Sequence, residues 1–306
     1  MDSQAQQLMH EAYAALDRGQ PDRALQIAGE LKQMRHSSSF DIQAESLAAL
    51  GRWDDAIAAL EEGVRAAPDV WLLWQSLANL YVQRDRYPEA HAAYGRALVA
   101  PKADKSAVHF NRALAYARAR NFEEASHVLD LVTDDALRIR ARSFKAAALN
   151  DLGRHEDAEE VARQTIEEAL ALPPSAELQE DRARLHGQLA RALFALHDRD
   201  GAATEAARAL DIHKSEPTAL FVVRALRDAR SAGAFHFQAR LRGTWPGGRR
   251  FEVACDAVAE TAEEILEYCL ALEPPGTELE ILTSSPMQPR PNVPKGIYGI
   301  SEIGFK

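Results

Sequence analysis

The sequence predicts an all-α solenoid of about six helix hairpins plus a capping helix over residues 1–232, followed by a small α+β module of order ββαββ over residues 233–306. Three observations predict it. An alanine recurs at Ala24, Ala56, Ala90, Ala125, Ala158 and Ala202, at intervals of 32, 34, 35, 33 and 44 residues. Around these alanines, pairs of runs with apolar residues three and four apart flank short polar turns, the pattern of paired amphipathic helices. After Gly233 the apolar period drops to two, the period of strands.

In chain order, residues 3–36 form the first hairpin, with Leu8, Ala12 and Ala15 on one helix and Ala24, Ala28 and Leu31 on the next. It departs furthest from the others, as a terminal repeat with one face toward solvent does. In the second hairpin, residues 39–68, Ala56, Leu60 and Gly63 repeat the spacing and Pro68 closes it. The third, residues 70–101, sets Trp74, Leu77, Ala78 and Tyr81 against Ala90, Tyr94 and Ala97; small residues at Ala78 and Ala90 let two backbones approach while the rings fill the surround. The fourth runs from Ser106 to Val132 around Ala113, Tyr116, Phe122 and Ala125, and the fifth starts near Ala136 around Ala146, Leu149, Gly153 and Ala158. Its second helix extends to Pro173-Pro174, which lack amide hydrogens and end it, and this extension accounts for the 44-residue interval. The sixth spans Gln179 to Leu210, and a helix opening at Pro217 either caps it or serves as the bracket that seats the C-terminal module.

In the module, Phe235, Phe237, Ala239 and Leu241 alternate with polar residues, as do Phe251, Val253 and Cys255 after a Gly/Pro turn. Thr261 and Glu264 have the spacing of a capping box at a helix start. Leu279–Leu282 and Gly296–Phe305 complete the strands. Between them Ser284–Pro294 holds four prolines and reads as a loop or polyproline-like strap.

The third hairpin resembles a tetratricopeptide repeat: Trp74, Leu77, Ala78 and Tyr81 match its W-x2-L-G-x2-Y run, followed by Tyr87, Ala90, Ala97 and Pro101. The turns Gly51-Arg-Trp-Asp-Asp-Ala56, Arg86-Tyr-Pro-Glu-Ala90, Asn121-Phe-Glu-Glu-Ala125 and Gly153-Arg-His-Glu-Asp-Ala158 extend the resemblance over residues 5–230. The resemblance implies a concave groove lined by the first helix of each hairpin, here Gln75, Asn79, Phe110, Asn111, Arg140, Ser143 and Phe144. In members that clamp a peptide C-terminus, two asparagines and a basic residue stand where Asn79, Asn111 and Arg140 stand. Asparagine can donate to and accept from a peptide backbone, and arginine grips a carboxylate through paired hydrogen bonds. Gln75 and Phe144 replace two further cations of that pattern, so the groove suits one anion plus apolar side chains. The same residues have plainer readings: Asn111 bonding within the helices, Arg140 pairing with nearby acids, and Phe110 and Phe144 packing between repeats.

Composition narrows the function. With 46% hydrophobic residues the chain can bury a core, and a net charge of -10 argues against nucleic acid as main partner while suiting a basic protein. No signal peptide or apolar run of membrane-spanning length is present, and both cysteines, Cys255 and Cys269, read as buried thiols of a cytoplasmic protein. Nucleotide-binding, hydrolase and metalloprotease motifs are missing, so no catalytic residue, cofactor or metal is assigned; His186 and His197 are the nearest helical histidine pair. Arg240, Arg242, Arg249 and Arg250 surround the hairpin turn with Trp245 at its tip, a second interaction surface, a phosphate or nucleic-acid contact, or a wet face pairing with acids such as Glu252. The expectation is a protein-interaction scaffold for a peptide or protein partner. The alternative is a dedicated chaperone or neutralising, immunity-type partner of one basic protein; an enzyme or nucleic-acid binder acting through the module ranks below both.

Overall fold

A computed structural model describes residues 2–273 and 275–305. The chain divides into two compact units, Met1–Leu137 and Arg138–Lys306. The first holds four hairpins: α1 (Asp2–Asp17) with α2 (Pro21–Gln33), α3 (Ser38–Ala49) with α4 (Trp53–Ala66), α5 (Trp71–Gln83) with α6 (Tyr87–Val99), and α7 (Lys105–Arg118) with α8 (Phe122–Leu129). The second carries α9 (Asp135–Asp151, from Arg138 onward) with α10 (His155–Leu170), α11 (Ala176–Ala195) with α12 (Arg199–Ile212), and α13 (Pro217–Arg227). It ends in β1 (Phe235–Thr244), β2 (Arg250–Ala259), α14 (Ala262–Leu270), β3 (Glu278–Pro289) and β4 (Gly296–Phe305).

The recurrent alanines have one cause. Ala24, Ala56, Ala90, Ala125, Ala158 and Ala202 are each 0% exposed, at positions where a larger side chain would hold the packed helices apart. The turns repeat as well. Gly19, Gly51, Asp85, Arg120, Gly153 and His197 all take positive φ just past the first helix of a hairpin. The following amide reaches back five residues in each, from Gln20 to Ala15, Arg52 to Leu47, Arg86 to Tyr81, Asn121 to Tyr116, Arg154 to Leu149 and Asp198 to Leu193. This helix-ending motif satisfies carbonyls that the helix leaves open, and glycine enters its left-handed position without the steric cost that the other three residues bear.

In the second unit, helices and sheet share one core. Leu185, Leu189 and Leu193 of α11 and Leu220 and Val222 of α13 belong to the same apolar cluster as Phe237, Leu241, Phe251 and Val253 of the sheet and Ile265 and Cys269 of α14. Compactness thus changes after Leu137, inside the helical array, while the apolar period changes at Gly233. The sheet is antiparallel, in order β3-β1-β2-β4. Cys255 and Cys269 are buried thiols 3.9 Å apart at sulfur.

The proline-rich segment corrects the expectation of a loop. β3 continues through Pro286 and Pro289, which lie opposite Phe237 and Phe235 across a register shift. β3 is an edge strand, where an outward position needs no amide hydrogen and a bulge absorbs the rest. Residues 290–295 then lace to the segment leaving α13: the amides of Arg290, Asn292 and Lys295 donate to the carbonyls of Ala234, Ser231 and Ala229.

Candidate functional site

The first helices of the hairpins bury an apolar stripe, and on α11 burial is continuous from Leu185 to Ala190. On α5, Leu73, Leu77, Ala78, Leu80 and Tyr81 are buried, which leaves Gln75 and Asn79 half-buried one turn apart on the other side. The buried Tyr94 hydroxyl of α6 donates to Asn79 Oδ1 at 2.6 Å, fixing the amide, and burial pushes that phenol's pKa up. Gln75 Oε1 is enclosed and accepts no hydrogen bond among the described residues. On α7, which touches α5, Phe110 and Asn111 are half-buried, and Asn111 spends its Nδ2 on the Ala107 carbonyl of its own helix. The structure therefore places these four residues on two adjacent helices, with Asn111 back-bonded.

Acidic residues extend the same face toward the N-terminus. Asp41 accepts from the Tyr13 hydroxyl at 2.9 Å, and the Glu45 carboxyl, although its side chain reaches solvent, is pushed up to about 7 by lost hydration, then by Asp41 and Asp17. Neither acid is among the residues predicted from sequence. The signal was there, since Asp41 and Glu45 stand 34 residues before Gln75 and Asn79, just as Ala44 stands 34 before Ala78.

In the second unit, Arg140, Ser143 and Phe144 of α9 meet α11. Arg140 Nε lies 3.3 Å from the buried Asp181 carboxylate, and Arg184 donates to the same carboxylate at 2.6 Å and to Ser143 Oγ at 3.3 Å. Ser143 is fully buried and donates to the Arg140 carbonyl, so it orients arginines and does not face solvent. The Arg184 guanidinium lies 4.8 Å from the Phe144 ring centroid. Beside it runs a groove of about 470 Å³ lined by Phe144, Ala147, Glu180, Arg184, Gln188 and Thr218, among others. Gln188 is held at both ends, accepting from Asn150 and donating to Thr218, so its side chain is set before any partner arrives. Arg184 and Gln188 occupy on α11 the places of Arg140 and Phe144 on α9, 44 residues on; the long interval hid them.

The hairpin arginines divide. Arg242 bridges Glu252 at 2.8 Å and Glu280 at 3.4 Å, and Arg240 lies 3.7 Å from Glu252. Trp245 is turned inward from the tip: its ring stacks on Phe251 at 4.3 Å and its Nε1 donates to Glu273, leaving Arg249 and Arg250 exposed. The solvent face of the sheet carries a cleft of about 610 Å³ edged by Gln238, Arg240, Asp256, Thr283 and Ser285.

The histidine pair separates. His186 is buried against Glu205 at 2.7 Å, whereas His197 sits in a turn. Burial raises the Glu205 pKa, but the hydrogen bond and charge of His186, with Arg208, outweigh it and leave the carboxyl below its ordinary value. Among the described residues no group of three or more His, Cys, Asp or Glu could hold a metal ion, and no helix is long and apolar enough to cross a membrane.

Residues 43–106 and 76–132 match one tetratricopeptide-repeat family model, and residues 139–164 match another. No curated protein matches the chain. Among solved structures, the C-terminal part of a TPR repeat-containing protein from Cytophaga hutchinsonii aligns with a TM-score of 0.54 at 14% identity, over 69% of this chain and 84% of that one. YrrB, described as a TPR protein with an unusual peptide-binding site, gives 0.48 at 15% identity, over 64% of this chain and 96% of that one. A tetratricopeptide repeat protein from Parabacteroides merdae gives 0.44 at 14%, over 73% and 98%. Repeats of this kind serve as protein-interaction scaffolds, because stacking leaves extended surfaces outside the core. The helix hairpins, their buried alanines and the matched family models lead to one conclusion: residues 43–132 and 139–164 are built of tetratricopeptide repeats.

Proposed function

We propose that this protein is a cytoplasmic interaction scaffold, not an enzyme, that binds an extended segment of a protein partner on the first-helix faces of its hairpins. The polar face of the sheet serves as a second surface, edged by Arg240 and Arg242. The observation that carries the reading is the groove beside Phe144. An aromatic ring capped by Arg184 stands next to the pre-set amide of Gln188 and the hydroxyl of Thr218. An extended chain offers what these groups take, an apolar side chain for the ring and backbone amides for the polar atoms. Arg140 and Ser143 hold Arg184 and Asp181 in place; Gln75, Asn79, Phe110 and Asn111 form the corresponding surface of the first unit.

The test is quantitative binding of a partner recovered with the full chain. Phe144→Ala is expected to weaken it about thirty-fold, the effect of losing one aromatic anchor of about 2 kcal/mol. Arg140→Ala weakens it less, and Asn79→Ala and Asn111→Ala report on the first unit. Wild-type affinity in both Phe144→Ala and Arg140→Ala, with helicity unchanged, removes the groove from the function.

A second reading, a dedicated partner of one basic protein, is favoured by the meeting of Asp17, Asp41 and Glu45. Carboxylates that repel one another gain from a lysine- or arginine-rich guest. Because the folded Glu45 carboxyl titrates near 7 and the unfolded one near its ordinary 4.5, the folded state binds the extra proton between those values. Stability therefore falls as pH rises through this window. Glu45→Gln is expected to raise the thermal midpoint above pH 7 and not below pH 4.5, while wild-type affinity for a basic partner strengthens as pH rises toward 7. A midpoint difference between variant and wild type that is the same at pH 4 and pH 8 is the contrary result.

A further inference from the structure

A cavity of about 550 Å³ lies where α12, α13, α14 and the start of β4 meet, away from the groove described above. Its size falls in the range of small-molecule sites, about 300–1,000 Å³. Small residues open it: Ala203 and Ala207 of α12, Ala271 after α14, and Gly296, where an added Cβ would stand 2.8 Å from Arg224 Cγ. Leu210, Leu220, Val223, Leu226, Leu272 and Ile297 make its walls apolar.

The charges at its rim are unevenly matched. Lys295 is closed by Glu260 and Glu264, and Glu273 by Lys214 and Trp245. Arg224 and Arg227 differ. Arg224 donates to the Ile297 carbonyl and lies 3.9 Å from the Tyr298 ring centroid, Arg227 lies 4.1 Å from that of Tyr268, and neither pairs with a carboxylate among the described residues. Burial also pulls the Arg224 pKa down, the sign of a charge that its surroundings do not fully compensate. Asp211, on α12, is the remaining acid in the lining. Two guanidinium groups beside an apolar enclosure suit a ligand with a greasy body and one carboxylate, which an arginine can hold through paired hydrogen bonds.

We propose that this cavity binds a small amphipathic carboxylate, its apolar body between α12, α13 and α14 and its carboxylate on Arg224 and Arg227. This site is independent of the peptide groove, so its failure leaves that reading untouched. The probe is dodecanoate, titrated calorimetrically into the full chain below its micellar concentration, with dodecan-1-ol and dodecylamine as uncharged and cationic counterparts. The expected result is one dodecanoate per chain, with dodecan-1-ol at least about ten-fold weaker, as the loss of a charged hydrogen bond of about 1.5 kcal/mol requires. Arg227→Met, at an exposed position, reduces dodecanoate affinity by a similar factor, and Ala207→Trp, which fills the cavity from the exposed side of α12, abolishes binding with helicity retained. Absence of dodecanoate binding, equal affinity for dodecan-1-ol or dodecylamine, or unchanged binding in Arg227→Met each overturns the proposal.

Discussion

Replacing Lys214 with methionine is expected to destabilise the second unit by about 3 kcal/mol, the lower end of the cost of breaking a buried ion pair by removing one partner. Lys214 follows α12 and its ammonium closes the charge of Glu273, which follows α14 and whose side chain is 2% exposed. With the lysine gone, that carboxylate keeps the Trp245 Nε1 hydrogen bond and little else of comparable strength. Lysine also covers the Trp245 and Phe251 rings at 5.3 Å from each centroid, so its loss uncovers apolar surface as well. For a unit of this size about 3 kcal/mol corresponds to a fall of about 6–12 °C in thermal midpoint. The double variant Lys214→Met/Glu273→Leu removes both charges and is expected to recover most of the loss, because the cost lies in the orphaned carboxylate and not in the missing pair. Urea unfolding decides it: a single variant within about 0.5 kcal/mol of wild type, the range of ordinary surface substitutions, shows that Glu273 does not depend on the lysine.

This seam is also where the sequence stops being legible. The helix hairpins could be read because small side chains at crossing points must recur with the hairpin, and Ala24 to Ala202 do. Strand alternation was equally plain in β1 and β2, whose inward residues from Phe237 and from Phe251 onward are buried as the pattern requires, while Phe235 at the start of β1 is exposed. Partnership between distant elements could not be read. Lys214 and Glu273 are 59 residues apart with no pattern linking them, and Trp245 looked exposed because its neighbours are arginines. Four prolines hid the length of β3, since their tolerance depends on the strand being at an edge, a property of the sheet and not of the segment. At the candidate groove, Phe144 and Arg140 could be named from their place in one helix. Arg184 and Gln188 required knowing that α11 continues the same row after an interval of 44 residues.

Gly243→Val offers the sharper test of that seam, because local preference and packing predict opposite signs. In a strand, valine is favoured over glycine by propensity alone, and Gly243 lies near the end of β1, an inner strand of the sheet. Its partner across β2 is Phe251, 1% exposed, whose ring lies over the glycine. A Cβ at position 243 would overlap Phe251 Cζ and Cε1 and stand 2.7 Å from Leu279 Cδ2. The ring cannot withdraw cheaply, being stacked on Trp245 with the Lys214 ammonium above it. Valine therefore displaces the phenylalanine, and the expected loss is about 3 kcal/mol, approaching that of truncating the ring altogether. Gly243→Ala should cost less, and Gly243→Val combined with Phe251→Leu should regain part of the loss by restoring volume. A weakened near-ultraviolet circular dichroism signal from Trp245 should accompany the destabilisation. If Gly243→Val unfolds at the same urea concentration as wild type, or a higher one, the ring does not rest on the glycine, and the arrangement of Phe251, Trp245 and Lys214 that joins the sheet to the last helices is wrong.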